Sequence, residues 1–432
     1  MHSVVLGLGS NIGHKLSNLR QAVDLISSKI AKVQKISPIY ETKALLPEGA
    51  PQNWAVDYYN LAVLLQIDIS PEELLAEIKA IEIMIGRDPK HAFWCPREID
   101  IDILCYEDLL LQSENLNIPH QQLLERNFAI RPLLDVYPAW RHPNYGEDLH
   151  QHIKMMPSLK FAPFTLQGSI IMGIVNLSDD SFSQSTESVV PLKIFGHYIL
   201  ELVNQGAEII DIGAESTKPQ AQKITGKDYW EKLKPYLEIV ENFVKSDHLP
   251  IEIKVSVDTY HAEVVKEVLN YQCVRMINDV YGIESKAIAG LLKQKGVEYI
   301  FMHQMGVSGR QYLAEGADSV SLVVAFAEDK IKELLACGMS KEKLIFDLGI
   351  GFAKHTYQAQ CLLEAAAEIK QRLDIRVLVG HSRKASVMRY VSEQDNMQKD
   401  LATAMISRDL IKQGIDYIRV HNVRLTAIAK FI

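Results

Sequence analysis

The feature that most limits what this chain can fold into is a repeat of elements rather than of residues. Between Gly168 and Ile432 eight short apolar runs recur: Ile170–Val175, Glu208–Ile212, Ile251–Val257, Val274–Ile277, Glu298–Phe301, Lys343–Phe346, Arg376–Val379 and Asp416–Val420. Most are followed by a helical pattern. Continuous apolar runs suit parallel strands buried on both faces, each returned by a crossover helix. Eight such units in about 250 residues is the count of a closed (β/α)8 TIM barrel. Spacing alone leaves an open, doubly wound sheet as the alternative.

In a closed barrel, chemistry gathers at the C-terminal ends of the strands, and here those ends are polar. They carry Asn176, Asp211 with Glu215-Ser216-Thr217-Lys218, Asp258-Thr259, Asn278-Asp279, His303, Asp347 with Gly349-Ile350-Gly351-Phe352-Ala353-Lys354, Gly380-His381-Ser382-Arg383-Lys384 and Arg419-Val420-His421-Asn422. Any one Asp here serves equally as a helix cap. Taken together, Asp258, Asn278, Asp347 and Lys384 offer acceptors and one cation to a flat heterocycle with N–H donors and a carbonyl. Ser382, Arg419 and His421 offer an anion clamp, since Arg grips phosphate bidentately. These residues point to a barrel enzyme with a heterocyclic, phosphorylated ligand.

The first part of the chain mixes elements differently. Ser3–Leu8, Val33–Tyr40, Asn60–Ile67 and Glu98–Tyr106 read as strands. Leu16 to Ile30, Ser70 to Ile85 and Leu123–Val136 read as helices. Ser70-Pro71-Glu72-Glu73 is a capping box with proline at the first helical position. The order β-α-β-β-α-β predicts a ferredoxin-like α+β sandwich. Asp100 and Asp102 fall on one face of a strand, about 6.5–7 Å apart by strand rise. Two carboxylates so close repel unless cations lie between them, as with magnesium on a nucleotide tail. An edge strand showing its solvent face is the other reading. Arg87, Lys90, Arg97, His120 and Arg126 could neutralise a triphosphate, and no GxxxxGK[ST] loop occurs in the chain. Gly7-x-Gly9 lacks the third glycine of a dinucleotide fingerprint. Tyr58, Trp94 and Phe128 suit stacking on a ring or a place in the core.

From His142 to Phe164 the pattern lapses around Pro143, Gly146, Pro157 and Pro163, which places a domain boundary at 159/160. His142, His150 and His152 there read as solvated linker residues rather than a metal site. A length of 432 residues fits two or three domains. A net charge of −8 argues against a nucleic-acid or polybasic membrane partner. No run reaches the roughly 18 apolar residues of a membrane span. The N-terminus reads as a strand, not a secretory or import signal. Five cysteines without CxxC spacing fit a reducing, cytoplasmic setting.

Two resemblances are carried by motifs. Met172-Gly-Ile-Val-Asn176-Leu-Ser-Asp-Asp-Ser-Phe182-Ser183, Asp211-Ile-Gly-Ala-Glu215-Ser-Thr217-Lys218-Pro219, Val255-Ser-Val-Asp258-Thr259, Ile277-Asn278-Asp279, Gly380-His-Ser382-Arg-Lys384 and Ile418-Arg419-Val-His421 resemble, in order and spacing, the dihydropteroate synthase family. The resemblance implies that Asp258, Asn278, Asp347 and Lys384 hold a pterin, with Lys384 catalytic. It implies that Asn176, Ser382, Arg419 and His421 hold a diphosphate, with one magnesium ion at Asn176. Thr217, Lys218, Phe182, Phe352 and Ser382 would line a p-aminobenzoate site. Departures are Asp179, Gln184-Ser185, Lys218, Gln220, Leu348 and Ala353. In the first part, Leu8-Gly-Ser-Asn11, Asp57-Tyr58-Tyr-Asn60, Gly86-Arg87, Trp94-Cys-Pro-Arg97, Asp100-Ile-Asp102, Ile118-Pro-His120, Arg126 and Phe128 resemble the 6-hydroxymethyl-dihydropterin pyrophosphokinases over Met1–Leu159. That implies two magnesium ions on Asp100 and Asp102, catalytic Arg87 and Arg97, and ATP contacts from Arg87, Lys90, Arg97, His120 and Arg126. The pterin would lie among Thr42, Leu45, Tyr58, Asn60, Trp94 and Phe128. Lys43-Ala44, Pro89 and Phe93 depart from the usual pattern. The product of the first reaction is the substrate of the second, so the two resemblances together imply a bifunctional folate-pathway transferase acting on ATP, hydroxymethyl-dihydropterin and p-aminobenzoate. A folate-binding barrel methyltransferase, which would need a cobalamin partner or domain, and a chain with one half a degenerate binding module are the rival readings. The oligomeric state stays open.

Overall fold

The computed structural model describes residues 1–88, 90, 94–144, 149–177, 190–215, 223–245, 249, 251–293, 295–304, 312–384, 387, 391 and 395–431. The chain divides into two compact units, the first chiefly Met1–Gln167 and the second chiefly Gly168–Ile432.

The strands of the first unit are β1 (His2–Ser10), β2 (Lys35–Ile36), β3 (Tyr40–Thr42), β4 (Tyr58–Ile67), β5 (Asp100–Tyr106), the short pair β6 (Leu111–Gln112) and β7 (Asn117–Ile118), and β8 (Lys160–Phe161). The main sheet runs β5-β1-β4-β3-β8, with β2 also on β4, and every pair in it is antiparallel. Helix α1 (Lys15–Lys29) packs on α2 (Pro71–Ile85), and α3 (Asn127–Val136) packs on β4 and β1. The cap of α2 forms as its sequence dictates. Ser70 Oγ accepts the Glu73 N–H at 3.2 Å and the Glu73 carboxylate accepts the Ser70 N–H at 2.8 Å.

Four expectations are corrected here. The strand expected over Val33–Tyr40 is broken into β2 and β3, because Pro38 has no N–H for the ladder. Ser37 compensates: its N–H donates to Ala62 O and its Oγ accepts the Ala62 N–H, both at 2.9 Å. The helix expected from Leu123 is a 3-10 turn, Leu123–Glu125, then extended Arg126, then α3. The segment after α3 is not a solvated linker. Trp140 is buried and its Nε1–H donates to Glu107 O at 2.8 Å, His142 packs edge-on against it, and His152 Nε2 lies 2.7 Å from Leu124 O. The His150 side chain lies outside the described residues. The first unit runs past the expected 159/160, because β8 pairs with β3, Phe161 lies against the Tyr40 ring and Phe164 is buried.

The second unit is a closed barrel of parallel strands: β9 (Ile170–Asn176), β10 (Ile209–Gly213), β11 (Lys254–Asp258), β12 (Val274–Asp279), β13 (Glu298–Met302), β14 (Leu344–Asp347), β15 (Arg376–Val379) and β16 (Tyr417–Val420), with β16 closing onto β9. Closure removes the open doubly wound alternative. Met172, Ile209, Met276, Ile300, Ile345, Leu378 and Tyr417 form one buried cluster. All eight strands run the same way, so their polar ends share one rim. Among the described residues, no helix is long and apolar enough to cross a membrane.

Candidate active sites

A cavity of about 440 Å³ opens on the first unit. Its floor follows from strand register. Gly7 and Gly9 of β1 pair on one side with Ala62 and Asn60 of β4, and on the other with Asp102 and Asp100 of β5. Ile101 and Ile103 alternate with the two aspartates and are buried. A side chain on Gly9 would press on Asn60 Oδ1 at 3.0 Å and on the Tyr58 ring at 3.4 Å. The glycines are therefore sheet residues that leave the floor open, not a phosphate-binding turn.

Thr42, Leu45, Tyr58, Asn60, Arg87, Trp94, Arg97, Asp100, Asp102, His120, Arg126 and Phe128 all line this cavity. Of the expected residues, Lys90 is the one that does not. The Arg126 guanidinium lies 6.0 Å from the Trp94 ring centre and 5.7 Å from that of Phe128. Asn60 Nδ2 donates to Thr42 Oγ1 at 2.8 Å. Asp100 Oδ1 accepts from Arg87 Nη1 at 2.7 Å and from Arg97 Nη1 at 3.2 Å. Burial opposes its charge, but the two guanidinium groups outweigh burial and hold its pKa below the ordinary value. Asp102 lies 4.0 Å from His120 Nε2, and its pKa is pushed up to about 7, first by burial and then by the charge of Asp100. Two carboxylates that cannot both ionise comfortably fit a bound dication, which would supply the missing positive charge. His120 Nδ1 accepts the Gln122 N–H at 3.2 Å, which assigns the ring proton to Nε2. Burial and the Arg126 charge lower its pKa.

Sequence reasoning missed Glu82, Lys79 and Gln122. Glu82 is buried on α2, bonds Arg87 Nη1 at 2.5 Å and Lys79 Nζ at 2.9 Å, and accepts the Ile101 N–H at 2.8 Å. It ties both cations to β5. The available signal was a carboxylate next to Ile81 in the apolar stripe of Leu74 and Ile78. Lys79 and Gln122 also line the cavity.

At the barrel rim, Asp258 and Asp347 end β11 and β14 and Asn278 is the last residue but one of β12, all buried, and Lys384 follows β15. Asn176 ends β9 and is exposed. Arg419, expected beside Ser382 and His421, instead donates from Nε to Asp211 Oδ2 at 2.6 Å and from Nη2 to Asp258 Oδ2 at 3.0 Å. Asn278 Nδ2 donates to the same Asp211 oxygen at 3.2 Å. Burial raises the Asp258 pKa to about 7, with Arg419 opposing. Burial also raises Asp347 and, with the Arg419 charge, lowers Lys384 to about 8. The Lys384 ammonium lies 4.2 Å above the Phe352 ring centre. Ser382 Oγ accepts the His421 N–H at 3.2 Å and lies 3.0 Å from His421 Nδ1. Burial and then the Arg383 charge hold that ring neutral. Asp279 is structural: it accepts from Tyr299 Oη at 2.6 Å and the Gly282 N–H at 2.7 Å. Phe182, Thr217 and Lys218 lie outside the described residues. Asp211 and Lys354 were seen as polar strand-end residues, but nothing in the sequence gave them partners.

An α+β unit with a carboxylate-and-cation cavity, joined to a barrel with a heterocycle-and-anion rim, defines an enzyme that handles a phosphorylated ring compound. The family described as pterin binding enzyme matches residues 172–421, and 7,8-dihydro-6-hydroxymethylpterin-pyrophosphokinase matches residues 5–138. A folate synthesis bifunctional protein of Chlamydia muridarum is 35% identical over 97% of this chain and 95% of its own. A mitochondrial folate synthesis bifunctional protein of Arabidopsis thaliana is 29% identical over 99% of this chain and 81% of its own. A crystal structure of Clostridium difficile dihydropteroate synthase in the presence of pteroic acid superposes with a TM-score of 0.53 at 29% identity, over 61% of this chain and 94% of that one. The chain belongs to the pterin binding enzyme family and, over nearly its full length, to the folate synthesis bifunctional proteins.

Proposed function

We infer that the chain is a bifunctional transferase of folate synthesis. The first unit transfers a diphosphate from ATP to 6-hydroxymethyl-7,8-dihydropterin. The second condenses the resulting pterin diphosphate with p-aminobenzoate to 7,8-dihydropteroate, releasing pyrophosphate. The observation that carries this reading is the single cavity in which Asp100, Asp102, Arg87, Arg97 and Arg126 meet Tyr58, Trp94 and Phe128. It combines polyphosphate neutralisation with a stacking slot, and the barrel offers acceptors for the same heterocycle.

In the first reaction the pterin hydroxymethyl oxygen attacks the β-phosphorus of ATP, and the bond to the α-phosphate oxygen breaks to release AMP. Asn60 and the aromatic walls orient the pterin, while Arg87, Arg97, His120 and Arg126 hold the phosphates in line. Asp100 and Asp102 would hold magnesium, which supplies charge neutralisation to the polyphosphate when bound. In the second reaction Asp258, Asn278, Asp347 and Lys384 hold the pterin ring. Ser382 and His421 grip the diphosphate as it leaves, and Asn176 would hold it together with a magnesium ion. Arg419 belongs to both groups, since it orients Asp258 and stands next to the departing charge. Phe352 and Ser382, with Phe182, Thr217 and Lys218, would form the p-aminobenzoate side, where the amine nitrogen bonds to the pterin methylene carbon. No side-chain nucleophile is needed.

With β2 and β3 counted as one broken strand, the order β5-β1-β4-β3 runs fourth, first, third, second, which supports a ferredoxin-like reading. Five free thiols support a reducing compartment, the cytoplasm. The test is incubation with hydroxymethyl-dihydropterin, ATP, Mg²⁺ and p-aminobenzoate, with AMP and dihydropteroate followed separately. AMP without dihydropteroate, or neither, would overturn the bifunctional reading.

A further inference from the structure

The loop after β14 is folded around the buried Lys354 amino group, which the reaction scheme does not use and whose pKa burial lowers to about 7, with Asp347 opposing. Gly349, Gly351 and Ala353 adopt φ of +67°, +78° and +54°. Among these left-handed turns the Gly349 and Phe352 carbonyls face inward. Lys354 Nζ donates to Gly349 O at 2.9 Å, Phe352 O at 3.0 Å and His303 O at 3.2 Å, and lies 3.0 Å from His303 Nδ1. Three N–H bonds thus serve four acceptors, and Lys354 is 5% exposed. His303 follows β13 and is itself fixed, its ring edge-on to Phe326 with centres 4.9 Å apart. Burial and then the Lys354 charge keep its ring uncharged, and Nδ1 is assigned as the acceptor because it faces the Lys354 donor.

The other face of the loop meets the pterin-holding groups. Phe352 lies beneath the Lys384 ammonium, 4.2 Å away. A side chain on Gly351 would meet the Lys384 stem at 2.8 Å. Asp347 accepts the Gly349 N–H at 2.8 Å. One lysine therefore ties the loop to the neighbouring strand from within, and the other lies across its outer face.

We propose that Lys354, together with His303, is a positioning residue of the synthase site, holding the Gly349 and Phe352 carbonyls to the end of β13 and so fixing Phe352 against Lys384 and Asp347. The proposal rests on the functional reading above. Lys354 does not touch substrate, because its N–H groups are committed to the loop. A neutral side chain of equal length would leave inward-turned carbonyls without donors, each a costly buried orphan. The loop would then turn its carbonyls to water and release Phe352.

The test uses the full chain, whose first unit serves as a folding control. In Lys354→Met the KM for p-aminobenzoate should rise at least tenfold. The KM for supplied pterin diphosphate should stay within threefold, and AMP formation should be unchanged. His303→Leu should raise the p-aminobenzoate KM several-fold, whereas His303→Asn, which keeps an acceptor near Nδ1, should remain within threefold of wild type. Amide exchange over 349–354 should quicken in Lys354→Met and His303→Leu but not in His303→Asn, and this readout does not depend on activity. A wild-type KM with unchanged exchange in Lys354→Met would overturn the clamp. So would a general collapse in which both KM values, kcat and the melting temperature move together and His303→Asn fares no better than His303→Leu. If the unmodified chain made no dihydropteroate, the functional reading would fall, while amide exchange would still decide the clamp.

Discussion

Replacing Arg419 by Met removes the one guanidinium that bridges two buried carboxylates, Asp211 at 2.6 Å and Asp258 at 3.0 Å. Asp211 is 0% exposed and Asp258 8%. Breaking a buried pair by deleting one partner costs about 3–5 kcal/mol, because the remaining charge is left without compensation. At roughly 2–4 °C per kcal/mol for a domain of this size, the barrel should melt about 6–20 °C lower. The loss should depend on pH in a definite direction. Asp258 ordinarily titrates at 3.8 and is raised to about 7 in the folded chain. Below its unfolded value both states carry the proton, so its burial has no charge cost. As pH rises the unfolded state ionises first, the cost grows, and it is complete above the folded value. Without Arg419 the folded value moves higher still and the window extends upward. The deficit of Arg419→Met should therefore be larger at pH 8 than at pH 5 by at least about 1 kcal/mol. Pterin binding should weaken as well, since Arg419 orients Asp258. Thermal and denaturant unfolding of the full chain at the two pH values gives the comparison, with calorimetry for pterin. A deficit equal at both pH values, or below about 1 kcal/mol throughout, would refute the argument that Arg419 neutralises this pair.

Four further outcomes follow from the geometry. Asp100→Ala combined with Asp102→Ala should abolish AMP formation at any Mg²⁺ concentration yet leave dihydropteroate synthesis from supplied pterin diphosphate intact; a double variant that keeps most of its AMP formation removes the carboxylate pair from the mechanism. Glu82→Gln should lower AMP formation at least tenfold for a stability loss of only about 1–3 kcal/mol, since it loosens Arg87 and Lys79 without opening a cavity; steady-state rates and unfolding curves decide it. Gly349→Ala places a methyl against His303 O at a φ of +67°, so dihydropteroate synthesis should fail while AMP formation persists. A first-unit fragment ending at Gln167 should be more stable to denaturant than one ending at Leu159, because only the longer one keeps β8 and the buried Phe164; equal stability would show that the edge strand contributes nothing.

What the sequence determined is what depends on neighbours along the chain. The apolar runs and their polar ends were visible because strand burial and helix return repeat locally. The capping box at Ser70 was visible because its partners lie three residues apart. Asp100 and Asp102 were visible as a pair because strand residues two apart share a face. Motif spacing then sorted the site residues into two sets, and one cavity gathers all of the kinase set but Lys90. What only the tertiary structure decided is which charges meet. Arg419 lies 208 residues from Asp211 and 161 from Asp258, and no local pattern links them. Their contact exists because β16 closes onto β9, which brings the Arg419 side chain within reach of carboxylates on the second and third strands. Glu82 gained its role only when α2 packed on β5, and Lys354 only when the loop after β14 folded over the end of β13. A buried charge is tolerated only with a partner, and the partner is chosen by chain closure, which no window of sequence contains.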